Sequence, residues 1–96
     1  MMKVFISQPM NGKTEKQILD ERRDALNVAK AYFEQDVKAL DSIFKDEASP
    51  LKGLAKNIAL MAKAEAVVFA KGWQDYRGCR IEHACALEYG VKILEL

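Results

Sequence analysis

Two spacings of apolar residues alternate along the chain. Compact apolar runs occur at Lys3-Val4-Phe5-Ile6-Ser7, Ala66-Val67-Val68-Phe69-Ala70 and Val91-Lys92-Ile93-Leu94. Each is too short for a helix of its own, and together they read as buried strands. A weaker run, Val37-Lys38-Ala39-Leu40-Asp41, reads as a further strand. Between them the apolar positions fall at helical spacing. Ile18, Ala25, Leu26, Ala29 and Phe33 share one face of a helix that Thr14-Glu15-Lys16-Gln17 opens as a capping box. The opposite face, with Glu21, Arg22, Arg23, Asp24 and Lys30, reads as solvated. Leu51, Leu54, Ala55, Ile58, Met61 and Ala62 mark a second helix, and the segment from Ser42 to Pro50 reads as a loop. A third helix is expected from about Gly78 to Tyr89, with Gly90 as its stop.

This order, β-α-β-α-β-α-β, implies an α/β fold with a four-stranded parallel sheet and helices on both faces. Strand order 2-1-3-4 puts the switch point between the first and third strands. The loops Ser7–Lys13 and Lys71–Arg77 then face each other across one crevice, with Asp41 on the same edge. All 96 residues form a single domain, residues 1–96.

Composition narrows the functional classes. Net charge is +1, with 15 basic and 14 acidic residues well mixed, which disfavours a dedicated nucleic-acid binder. No apolar run approaches the ~18 residues that cross a membrane. The first residues run straight into a strand without a signal-peptide pattern. Cys79 and Cys85 stand about 9 Å apart along one helix axis, too far to bridge. Reduced cysteines suit the cytoplasm.

Candidate chemistry concentrates in the turn and helix start from Gly72 to His83. Glu82, expected in the first turn or so of the helix, is the group around which a site would be built. The helix dipole would keep it ionised, and an ionised carboxylate beside a crevice can attack an electrophilic carbon. The plain alternative is a glutamate that only favours the helix start. Arg77 and Arg80, with the amides of Gly78 and Cys79, suit a phosphate or carboxylate. Trp73 and Tyr76 suit stacking on a base, and Trp73 equally suits packing against the sheet edge or a partner subunit. Cys79 and His83, at i and i+4, would make a nucleophile pair in a cysteine hydrolase, a minor reading. One His and two Cys offer no zinc spacing, and no phosphate-binding glycine fingerprint is present, so neither metal nor cofactor is expected.

Two stretches carry a resemblance to a known family. Val4-Phe5-Ile6-Ser7-Gln8-Pro9-Met10-Asn11-Gly12 and Gly72-Trp73 through Gly78-Cys79-Arg80-Ile81-Glu82, followed by Ala86 and Gly90, resemble the nucleoside 2-deoxyribosyltransferase-like superfamily, in particular a small bacterial and phage branch. That family has a Glu four residues after a turn glycine, and Gly78 to Glu82 keeps the spacing. The resemblance covers most of the chain and implies a flavodoxin-like sandwich. It implies that Glu82 is a nucleophile forming a covalent ribosyl-enzyme intermediate. Asp75 is the nearest match to the family's base-contacting Asp and would protonate or hold the base. Ser7 and Gln8 would contact sugar or base, with Asn11 and Asp41 nearby, and Arg77 and Arg80 would take a 5′-phosphate. The function so implied is cleavage or transfer at the N-glycosidic bond of a nucleoside or nucleotide. The rival is a non-catalytic nucleotide-binding or scaffolding domain. A homo-oligomer, most simply a homodimer, is expected, with Ala55, Ala59, Ala62, Ala84 and Ala86 permitting close approach and Trp73 and Tyr76 near the contact.

Overall fold

A computed structural model describes residues 1–42 and 49–96 of the chain. The elements run β1 (Met2–Ser7), α1 (Glu15–Phe33), β2 (Val37–Ala39), α2 (Pro50–Met61), β3 (Ala66–Phe69), a 3-10 turn (Trp73–Asp75), α3 (Arg77–Glu88) and β4 (Lys92–Glu95). The four strands form one parallel sheet in the order β2-β1-β3-β4. This is the expected α/β architecture with flavodoxin-like strand order. The central part of the expected loop, residues 43–48, lies outside the described residues; its last two residues, Ser49 and Pro50, open α2 instead.

The chain steps one way from β1 to β2, then reverses to reach β3 and β4. Right-handed crossovers therefore send α1 to one face of the sheet and α2 and α3 to the other. Period-two alternation divides the strands between these faces. Val4, Ile6, Ala66, Val68 and Leu94 pack with Ala25 and Ala29 of α1. Phe5, Val67 and Phe69 pack with Met61, Trp73, Cys79 and Ala86 on the other side. Both clusters include fully buried strand residues, so β1 and β3 are covered on both faces, as their unbroken apolar runs require.

Local signals place the helix ends. The Thr14 hydroxyl accepts from the Gln17 amide while the Gln17 side chain accepts from the Thr14 amide, completing the capping box. The Ser49 hydroxyl accepts from the Leu51 amide and starts α2, with proline in the first turn where its missing N–H costs nothing. Gly90, at φ 67°, lets the chain leave α3 in the left-handed region.

Three expectations need correction. β2 ends at Ala39 rather than Asp41. Arg22 does not belong to the solvated face of α1: it is 9% exposed, and its guanidinium donates to the Leu40 carbonyl at 2.6 Å and to the Ser42 hydroxyl at 3.2 Å. Five donors and a long apolar stem let arginine lie against the sheet edge and satisfy the chain as it leaves β2. Ala55, Ala59, Ala62 and Ala84 are exposed, whereas Ala86 is fully buried in the core and unavailable to a neighbour.

Candidate functional site

The site grows from strand parity. Ser7 lies two residues beyond Phe5 and so faces α2 and α3 from the carboxyl end of β1. On α3 the buried positions are Cys79, Glu82 and Ala86, spaced i, i+3 and i+7. A glutamate thus occupies an otherwise small apolar stripe and is aimed at the sheet. The Ser7 hydroxyl donates to Glu82 Oε1 at 2.6 Å, and Asn57 Nδ2 of α2 donates to Glu82 Oε2 at 3.1 Å. Three elements therefore converge on one carboxylate that is only 3% exposed.

Above it opens a cleft of about 350 Å³. Its wall includes Gln8, Met10, Asn11, Ser42, Asn57 and Gly78, together with Cys79 and Glu82. It lies at the carboxyl ends of β1 and β3, where Ser7 pairs in register with Phe69. That is the switch point, where two neighbouring loops diverge and leave room for a ligand.

Burial raises the Glu82 pKa above the ordinary glutamate value, and the bonds from Ser7 and Asn57 pull it part of the way back. This replaces the expectation of a carboxylate held ionised by the helix dipole. Glu82 is the sixth residue of α3, beyond the first turn over which the dipole acts. Burial likewise raises the Cys79 thiol, and the charge on Glu82 adds to that effect. Such a thiol is a poor nucleophile. His83 does not serve it: its ring stacks on Trp73 at 4.2 Å, and Nε2 lies 2.8 Å from Glu95 Oε1.

The sequence-predicted residues divide into two groups. Ser7 and Glu82 are bonded to each other, and Gln8, Asn11 and Gly78 line the cleft with Glu82. Asp75, Trp73, Arg77, Arg80 and Asp41 are not among the lining residues. The 3-10 turn separates the first two: it folds Trp73 into the core against Phe69 and leaves Asp75 exposed. Trp73 therefore neither stacks in the cleft nor offers its ring to a neighbour. Arg77 is exposed and lines an adjoining groove of about 490 Å³ with Leu51, Leu54 and Ile81. Arg80 is exposed and donates to the Gln74 carbonyl at 3.0 Å. Asp41 is exposed at the β2 edge and raises the pKa of the Arg22 guanidinium, partly offsetting the effect of burial.

A sequence profile described as "Domain of unknown function (DUF4406)" matches residues 2–95, from β1 to the end of β4. The chain belongs to this family. The match spans every element that forms the cleft. No curated protein and no solved structure matches the chain.

Asn57 escaped the sequence reading. It had a signal: Leu54, Asn57, Ile58 and Met61 share one helix face, so Asn57 is a polar residue in an apolar stripe. Ser42 and Arg22 had none, because both depend on how the chain leaves β2. Among the described residues no group of three His, Cys, Asp or Glu side chains is placed to hold a metal ion. Nor is any described helix long and apolar enough to cross a membrane.

Proposed function

We propose that this protein cleaves or transfers at the N-glycosidic bond of a nucleoside or nucleotide, with Glu82 as the nucleophile. The observation carrying this reading is the buried Glu82 carboxylate, oriented by two donors on the wall of a cleft sized for a small ligand. The resemblance to the nucleoside 2-deoxyribosyltransferase-like superfamily, through the Gly78–Glu82 spacing and the Ser7–Gly12 loop, supplies the reaction class.

In the first step a Glu82 oxygen bonds to the anomeric carbon as the bond from that carbon to the base nitrogen breaks. The bonding pair leaves with the base, which takes a proton from water at the open mouth of the cleft. Water or a second base then attacks the anomeric carbon from the face opposite Glu82, giving its proton to the hydroxide left by the first step, and the bond to Glu82 breaks with its electron pair returning to the carboxylate. Ser7 and Asn57 hold the carboxylate in line, which is worth most when the reacting atoms are already close. A raised pKa makes the ionised form a stronger base and nucleophile, at the cost of a smaller ionised fraction at low pH. Asp75 would have to act from outside the cleft as it now stands. Arg77 and Arg80 border the start of α3, which has no side-chain cap, and that suits a 5′-phosphate.

Incubation with a panel of nucleosides and 5′-monophosphates, followed by chromatography for free base, tests this reading. Base release by the wild type and none by Glu82→Gln supports it. Ligands that bind and stay intact would favour the rival, a non-catalytic nucleotide-binding domain. The exposed position of Asp75, which leaves the cleft without the expected acid, is what speaks for that rival.

The same reading includes a homodimer in a reducing compartment such as the cytoplasm. Two free cysteines suit such a compartment. Leu51, 73% exposed, and Leu87, 61% exposed, with Ile81 between the helices, give the α2–α3 face apolar area to bury. Light scattering at micromolar concentration should show twice the 10.8 kDa chain mass; a stable monomer would remove the dimer.

A further inference from the structure

Two side-chain carbonyls beside the cleft are buried and have no hydrogen-bond partner among the described residues: Gln8 Oε1 and Asn57 Oδ1. The Gln8 amide cannot simply turn over to repair this. Its Nε2 donates to the Ile18 carbonyl, which can only accept, so the nitrogen must face α1 and Oε1 must face away from that bond. Gln8 is 7% exposed and is a residue of the cleft wall, so an acceptor of fixed direction lies buried just behind that wall. A buried acceptor without a donor is costly to the protein alone, and a ligand that brings the donor recovers that cost.

The position of Gln8 says which end of a ligand it would meet. Gln8 is tied to α1, on one side of the sheet edge, whereas Glu82 is held by α3 and α2 on the other. A nucleoside with its anomeric carbon at Glu82 and lying across that edge would bring its base to Gln8. We propose that Gln8 reads the base, its Oε1 accepting from an exocyclic amino group, so that the ligands are amino-bearing nucleosides or nucleotides of the adenine or cytosine type. This rests on the glycosidic reading above. An oxo group in the same place would set two acceptors against each other, so the site selects by repulsion as well as attraction. Oε1 is buried, so the amino group reaches it only as the wall gives way. Met10 belongs to the same wall, and an unbranched side chain yields at low cost.

The test compares ligands differing in one group: adenosine against inosine 5′-monophosphate, and cytidine against uridine 5′-monophosphate. Binding to the wild-type chain is measured by calorimetry, and free base is followed by chromatography in the same samples. The amino member of each pair should bind about tenfold more tightly or better. In Gln8→Met, checked for folding by circular dichroism, that ratio should collapse toward unity whatever happens to overall affinity. Equal binding within each wild-type pair overturns the proposal, and so does a preference that survives in Gln8→Met. Binding of neither member overturns it together with the glycosidic reading. Base release without amino preference sinks the role of Gln8 alone. Amino-selective binding without base release sinks the catalytic reading and leaves Gln8 as the base reader.

Discussion

The two faces of the sheet are built to different ends. Toward α1, the strands present valine, isoleucine and alanine against Ala25 and Ala29, and Arg22, the one buried charge on that side among the described residues, lies at the edge and donates to Leu40 and Ser42 of the chain leaving β2. Toward α2 and α3 the same strands present Phe5, Val67 and Phe69, and then the apolar layer ends in Ser7, Asn57 and Glu82. Burying a carboxylate there costs stability, as its raised pKa records. One face holds the fold together, while the other gives up some stability to keep a carboxylate buried and oriented. Natural proteins accept such local costs at sites they use.

Substitutions should separate the faces. The largest effect belongs to Glu82. Glu82→Ala and Glu82→Gln should lower base release by several orders of magnitude while the chain stays folded, and residual activity above about 10% would sink the nucleophile role. The same residue gives a stability test with a definite sign. Its pKa is higher in the folded chain than in the unfolded one, so the folded state holds the proton more tightly. Its contribution to stability is full below the unfolded value and declines as pH rises from there through the folded pKa. Glu82→Gln has no such slope, so denaturant titrations from acid to neutral pH should show the variant gaining on the wild type. A gap that stays constant with pH would contradict the raised pKa.

On the other face, Arg22→Ala should cost about 2–3 kcal/mol of unfolding free energy, because the Leu40 carbonyl and Ser42 hydroxyl lose a charged donor. A loss below about half a kcal/mol would mean that water replaces the guanidinium. Arg77→Ala combined with Arg80→Ala should act on ligands rather than on the fold. Both are exposed, so about 1 kcal/mol each is expected, taken from 5′-monophosphates and not from nucleosides. Equal losses for the two ligand classes would remove the phosphate role. The smallest change is Gly78→Ala. A methyl there meets no atom within 4 Å, and alanine favours a helix over glycine by roughly 0.5–1 kcal/mol. The melting temperature should rise slightly while ligand affinity falls, because the methyl stands in the cleft wall. Unchanged affinity would place the ligand away from the start of α3.

The alternation of apolar runs and helical stripes determined the four strands and the three helices, because period is expressed directly in local sequence. The strand order 2-1-3-4 was a choice among the orders that right-handed crossovers allow, and it is the pairing of β1 with both β2 and β3 that decides it. The helix caps at Thr14 and Ser49 are local in the same way, though only the first was legible beforehand, since Ser49 lay within a segment lacking any period. Glu82 could be singled out because it stands at a fixed distance from Gly78. What held it could not. Ser7 and Asn57 lie 75 and 25 residues away in sequence, and only the packing of α2 and α3 on one face of β1 brings them to the carboxylate. Tertiary structure also decided the fates of residues that looked alike. Trp73 and Asp75 share one turn, yet the two residue steps between them bury the ring and expose the acid. Arg22 and Arg23 are neighbours on one helix, and a rotation of about 100° per residue puts one against the sheet edge and the other in solvent. Sequence period tells which face a residue takes; what waits on that face is set by chain that arrives from far away.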